Sequence, residues 1–284
     1  MIVHAAIPSP PISTLSLGPL TVRIYGLCIL AGIFTALIIA MRRYRERGGN
    51  ADYVVDAALL AVPAGIIGGR IYHVVTSYQY YVGPGRNLAD AVKIWHGGLG
   101  IWGAVALGAL GAFVIVRYRR QRFAPFADAL APGLLCAQAV GRLGNWFNQE
   151  LFGAPTALPW GLSIDDAHLP AGYASGTLFH PTFLYEMIWN LALAAVLVWW
   201  DRRRRPSAGV VWWLYVAGYC AGRVWIEYLR IDEANLIFGV RLNVWTSLVG
   251  IVVALVFCWL AARRGGRHDV DPEELDPATA KTST

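Results

Sequence analysis

Charge is what this chain has least of. Only 15% of its 284 residues are charged, against 56% hydrophobic ones, where soluble domains carry about 25% charged residues. With a mean hydropathy of +0.47, an ordinary soluble globule is excluded. Also missing are the short motifs of metal, redox and nucleotide chemistry, since no Cys-x-x-Cys, His-Glu-x-x-His or Walker pattern occurs. The four cysteines, Cys28, Cys136, Cys220 and Cys258, lie far apart inside apolar stretches and read as small buried hydrophobes. There is no internal repeat. No cleavable signal peptide is expected, because residues 1–20 lack a basic start and are broken by Pro8, Pro10, Pro11 and Pro19.

What is present is apolar sequence in lengths that suit a bilayer. A hydrocarbon core of about 30 Å takes roughly 20 helical residues, and residues 24–41, 94–116 and 242–262 are uncharged over comparable lengths. Residues 187–200 and 207–222 reach that length if an adjoining acid or arginine is admitted, while 57–69 and 129–141 are shorter. Arginine clusters at 42–47, 117–122, 202–205 and 263–267 all face the cytoplasm by the positive-inside rule. Consecutive clusters on one side need an even number of crossings between them, so the shorter segments must span too. The expectation is an all-α polytopic membrane protein of about seven transmembrane helices, with its N-terminus outside and its C-terminus inside. The net charge of +6 is then a consequence of topology, and no nucleic-acid partner is implied.

With that topology Arg23, Arg70, Arg86, Lys93, Arg142, Arg223, Arg230 and Arg241 all fall in outer halves of spans or in outer loops. Arg23 and Arg70 read as side chains snorkelling to headgroups. His96 is placed at the outer start of the third span and Tyr25 near the start of the first. Tyr219, Arg223, Glu227 and Arg230 recur at helical spacing and share a face, with Arg223 able to pair with Glu227 one turn on. If "GRLGNWFNQELFG" (141–153) stays helical, Arg142, Asn145 and Gln149 line one side of it. An arginine at mid-membrane costs about 2 to 3 kcal/mol, so several cations and amides at one outer level call for a ligand. Guanidinium binds phosphate oxygens bidentately, and the fitting ligand is an anionic phospholipid. The 151–181 segment, rich in Gly, Pro and aromatics, reads as a small outer head or lid. The polar tail 263–284 reads as disordered.

These motifs resemble the bacterial prolipoprotein diacylglyceryl transferase family. "GRLGNWFNQELFG" is similar to the signature Gly-Arg-x-Gly-Asn-Phe-x-Asn-x-Glu-x-x-Gly, with Trp146 in place of Phe; "IYGLCI", "HGGLGIWG", "HPTFLYE" and "GRVWIEYLR" follow in family order. Two positions depart from the pattern, Arg23 and Asn243, and no function is carried onto them. The resemblance implies a catalytic membrane domain over 1–262. It implies transfer of a diacylglyceryl group from phosphatidylglycerol to the lipobox cysteine of a prolipoprotein signal peptide in the bacterial inner membrane, giving a thioether and glycerol phosphate. No cofactor or metal is required. By family position Arg142 and Arg223 hold the phosphate and Asn145 orients it, and His96 or Tyr25 assists thiol deprotonation. Asn148, Glu150, Gly153, Glu227 and Arg230 complete the substrate site, Glu150 and Glu227 by positioning arginines. Tyr185 and Glu186 are further candidates. A transporter of anionic lipids and a non-catalytic lipid-binding scaffold are the competing readings.

Overall fold

Apolar runs that end on arginine become helices that end on arginine. The computed structural model describes residues 6–18, 20–83, 85–266 and 268–270. It has seven long helices: α1 (Ile24–Glu46), α2 (Asp52–Thr76), α3 (Ile101–Tyr118), α4 (Phe123–Phe147), α5 (Thr182–Arg204), α6 (Val210–Leu229) and α7 (Leu242–Arg264). Arg43 and Arg45, Arg117, Arg202 to Arg204, and Arg263 and Arg264 occupy the last turns of α1, α3, α5 and α7. There they oppose the negative end of the helix dipole. All but α6 are long and apolar enough to cross a membrane, which makes the chain an all-α polytopic membrane protein. α6 carries Arg223 and Glu227 in a 20-residue helix.

Strands are few and short. β1 (Ile7–Pro8), β4 (Leu162–Ser163) and β5 (Leu178–Phe179) form one sheet in the order β1-β4-β5, with β1 parallel to β4. β2 (Thr14–Leu17) and β3 (Leu20–Arg23) make a hairpin leading into α1, and β6 (Leu236–Ile237) pairs with β7 (Val240–Arg241) between α6 and α7. The head is thus a three-stranded patch over the core of Phe152, Leu162, Ile164, Phe179 and Phe183, and it takes in the N-terminal strand.

The chain divides into two compact units, Met1–Ala40 with Ala127–His268, and Met41–Phe126 with Asp269–Thr284. In the first, α4, α5 and α6 pack around Ala131, Leu135, Ala194, Leu197, Val211 and Tyr215. Asp128, fully buried in α4, accepts from the backbone N–H of Gly209 at 2.7 Å and of Trp212 at 2.8 Å, so one helix caps the start of another. In the second unit α2 and α3 approach to backbone contact. A Cβ on Gly103 would collide with the Gly68 carbonyl and lie 2.5 Å from Tyr72 Cβ, so only small residues allow this crossing.

Three expectations are corrected. The third helix starts at Ile101, not residue 94: Ile94–His96 is a 3₁₀ turn, and Gly97 and Gly98 follow at φ 89° and 77°, a backbone that breaks the helix and suits glycine. His96 therefore precedes the helix. Arg70 is not a snorkelling side chain but is 7% exposed. Its guanidinium donates to the carbonyls of Ala91 (2.7 Å), Asp90 (2.5 Å), Gly97 (2.6 Å) and Gly98 (3.0 Å), organising the turn that carries His96. Gln149 leaves the line of Arg142 and Asn145, because α4 ends at Phe147 and Gln149 turns out at φ 52°. Of the tail expected to be disordered, 263–264 end α7 and 271–284 lie outside the described residues.

Candidate active site

The polar residues of the first unit assemble where α4, α5 and α6 meet the head. Arg142 on α4 forms an ion pair with Glu186 Oε2, and its Nη1 donates to Asn145 Oδ1 at 3.3 Å. On the other side Glu186 Oε1 accepts from Arg223 Nη1 at 3.2 Å. One carboxylate on α5 thus sits between two guanidiniums from two other helices. Arg223 Nη2 lies 2.7 Å from Glu227 Oε2, the pairing expected from their spacing. That contact is ionic, off the line of the N–H, since Oε2 is buried without a hydrogen bond.

Beyond Glu227 the alternation of charge continues. Its Oε1 accepts from Arg241 Nε at 2.7 Å and from Asn243 Nδ2 at 3.1 Å. Arg241 reaches Asp232 Oδ2 at 3.0 Å, and Arg230 grips both oxygens of Asp232 at 2.7 and 2.9 Å while staying 3.9 Å from Glu227. Burial pushes the Asp232 carboxyl up, but the hydrogen-bonded Arg230 and the charge of Arg241 outweigh it and hold the group below its ordinary value. Arg230, expected at the substrate, is thereby committed to a structural clamp with its side chain 6% exposed, whereas Arg142 and Arg223 keep 19% and 16%.

The amides of the signature stretch face Glu150. Asn145 Nδ2 donates to its Oε1 at 2.9 Å and Asn148 Nδ2 at 3.1 Å, while the carboxylate stays exposed. Tyr25, within electrostatic reach of Glu150 and Arg142, lays its ring on Gly144, where a Cβ would sit 2.5 Å from Tyr25 Cδ2. Gly153 bridges Arg230 in antiparallel fashion, and a Cβ there would lie 2.8 Å from His180 Cβ and 2.9 Å from the Leu229 carbonyl; its place is tight packing of head on helix. Gln149 serves the same junction: its amide donates to Asp165 Oδ2 at 2.5 Å and to the Pro10 carbonyl at 3.2 Å, and accepts from Asp165 N at 2.8 Å. Tyr185 turns to the head, its hydroxyl 3.2 Å from His180 Nδ1 and accepting from Trp160 Nε1 at 3.1 Å.

Arg142, Asn145, Asn148, Glu150, Arg223, Glu227, Glu186 and Tyr25 therefore belong to one unit and largely to one connected network. His96 belongs to the other unit, in its 3₁₀ turn. Sequence reading missed Asp232 and Asn243 as parts of the network and gave Arg241 no partner. The signal for Asp232 was an acid two residues after Arg230, in a segment that also carries Arg241. Chemically, Arg142 and Arg223 present two part-exposed guanidiniums that share one carboxylate. That arrangement accepts an anionic, oxygen-rich group on its open side.

Comparison with known proteins gives one consistent result. The profile of the family described as prolipoprotein diacylglyceryl transferase matches residues 12–260. Three relatives carry the name phosphatidylglycerol–prolipoprotein diacylglyceryl transferase. One from Cutibacterium acnes is 54% identical over 93% of this chain and 89% of its own length. One from Corynebacterium efficiens is 52% identical over 96% and 87%, and one from Streptomyces griseus 49% over 98% and 84%.

Proposed function

Since the chain belongs to the prolipoprotein diacylglyceryl transferase family, we propose that the charge network at the head-side ends of α4, α5 and α6 is its transfer site. The enzyme is a membrane transferase of lipoprotein biosynthesis, acting at the first step of lipoprotein maturation. Its substrates are phosphatidylglycerol and a prolipoprotein, the acceptor being the lipobox cysteine thiol. The transfer domain is 1–262 with 151–181 as its outer head, and 263–284 is a cytoplasmic tail. The head lies outside the bacterial cytoplasmic membrane, with the N-terminus on the same side and the C-terminus in the cytoplasm.

The observation that carries the assignment of residues is the shared carboxylate: Arg142 and Arg223 both grip Glu186 yet remain part-exposed. The lipid phosphate binds along their open edges, and Asn145, already bonded to Arg142, orients it together with Asn148 and Glu150. The thiolate sulfur attacks the glyceryl carbon that bears the phosphoester oxygen. The C–S bond forms, the C–O bond breaks, and the electron pair leaves on glycerol phosphate, whose growing charge the two guanidiniums stabilise. A thiol with an ordinary pKa of about 8.5 must first lose its proton. His96 or Tyr25, the latter beside Arg142 and Glu150, assists that deprotonation. Arg230, Glu227 and Gly153 act from behind by fixing Arg223 and the head.

The test uses purified enzyme, phosphatidylglycerol and a lipobox peptide, with the mass of the peptide cysteine as readout. Arg142→Ala and Arg223→Ala each lower turnover by about 10²- to 10³-fold, the range for losing one preorganised donor to a developing charge. Tyr25→Phe and His96→Ala separate the two candidates, since loss of the assisting group moves the rise of rate up to the free thiol's own range, about pH 8.5. Full activity in both arginine variants would overturn the assignment.

A further inference from the structure

Three helices carry three layers of side chains. Arg142, Glu186 and Arg223 form the layer nearest the head, closed by ion pairs from α4 and α6 onto α5. Leu135, Ala194 and Tyr215, on the same helices, belong to one apolar cluster deeper in the unit. Between them, one turn below each charged residue, stand Gln138, Asn190 and Tyr219. Asn190 is the buried member of this middle layer, while Gln138 and Tyr219 are part-exposed, so the layer keeps an open edge.

The middle layer holds polar atoms that the protein does not satisfy. Asn190 is 2% exposed, and its Nδ2 has no hydrogen-bond partner among the described residues. The Gln138 amide meets the Tyr215 hydroxyl at 3.1 Å through Nε2, and its Oε1 is buried without a partner. Two amides facing a lipid-embedded core are costly when unsatisfied, and leucine would fill the same space without that cost. Tyr215 can donate as well as accept, so the Gln138 amide can equally be seated with Oε1 taking the Tyr215 proton. The layer then presents two free amide N–H donors.

We propose that Gln138 and Asn190 form a subsite for the two acyl ester carbonyls of the donor lipid. The inference rests on the reading that Arg142 and Arg223 hold the lipid phosphate. In a glycerophospholipid the esters sit on the other two glycerol carbons, the central one and the far terminal one, a few atoms deeper in the bilayer than the phosphate. Ester carbonyls only accept, which matches a pair of free donors one helical turn beneath the phosphate-binding arginines. Such a subsite selects a diacyl donor over one lacking the carbonyls, and it places the carbon under attack between two anchored ends.

The experiment uses the purified full chain and two donors, phosphatidylglycerol with ester-linked chains and its dialkyl ether counterpart, which has the same headgroup and the same scissile bond. In the wild type, KM for the ether lipid is higher by about five- to tenfold for each hydrogen bond lost, with kcat little changed. In Asn190→Leu and Gln138→Leu the ratio of the two KM values falls toward one. Equal KM values in active wild type overturn the subsite and need no variant to be seen. So does loss of activity in the variants that leaves the ratio intact, since that is what a merely structural role predicts. Absence of thioether from either lipid in the wild type overturns the transferase site itself, and the subsite with it.

Discussion

Glu227 has no exposed surface and meets two guanidiniums and an amide, so it is a buried counter-ion before it is anything else. Its charge is tolerable only because its partners stay in place, and Arg241 does so by also holding Asp232. The Asp232 carboxyl, held below its ordinary value of 3.8 by Arg230 and Arg241, gives this arrangement a pH signature. A depressed folded-state pKa means that the unfolded chain binds the proton first, so the contribution is fully present above the ordinary value and is lost as pH falls through the folded one. Asp232→Asn should therefore lower Tm at neutral pH, and the gap to wild type should close as pH drops below 3.8. Thermal unfolding followed at several pH values checks this; a gap independent of pH would show that the ion pair contributes nothing through charge. At this scale the sequence displayed the arginines and not their partners. Arg223 with Glu227 was legible because helical spacing alone brings them together. Glu227 with Arg241 was not, because it depends on how 230–241 folds back through β6 and β7.

The helix that carries most of these groups is fastened at both ends. At its start the Asp128 carboxylate takes the Gly209 and Trp212 N–H groups. At its end Ala154 N donates to the Leu229 carbonyl at 2.7 Å and Gly153 bridges Arg230. α6 is also the long helix outside the set apolar enough to span on composition alone, so its position depends on fixtures more than on lipid. Asp128→Ala strips two backbone donors of a buried acceptor and should cost about 1–3 kcal/mol. The expected result is a lower Tm in detergent with KM for phosphatidylglycerol unchanged at low temperature, since Asp128 lies at the far end of α6 from the site. A raised KM without a change in Tm would place Asp128 in substrate binding instead. The seven helices were legible from apolar length and arginine punctuation, although α2 runs from 52 and not 57 and α4 to 147 and not 141. The two-residue strands β1, β4 and β5 were not, because a segment that short has no periodicity to read. Nor was the 3₁₀ turn before α3, which Arg70 assembles from carbonyls some 20 to 28 residues away in sequence.

For the molecule as a whole, the helix ends carry the proposed topology. α1, α3, α5 and α7 finish on arginine, and positive charge resists translocation. In the proposed topology all four ends share one side, which requires α2, α4 and α6 each to return across the bilayer, α6 despite Arg223 and Glu227. It can do so because those charges lie within a turn or two of its head-side end and are neutralised there by each other and by partners from α5 and β7. In a variant lacking the four native cysteines, a cysteine at Ser175 in the head should react with a membrane-impermeant maleimide in intact spheroplasts. One at Arg204, exposed at the end of α5, should react only after permeabilisation. A third at Phe238, exposed between α6 and α7, should react from outside as the one at Ser175 does; if it reacts only after permeabilisation, as at Arg204, α6 does not cross and the proposed topology fails. Labelling in the expected pattern instead puts Arg142 and Arg223 at the outer leaflet, on the side proposed for the transfer. The substrates would then meet at one depth without either leaving the membrane.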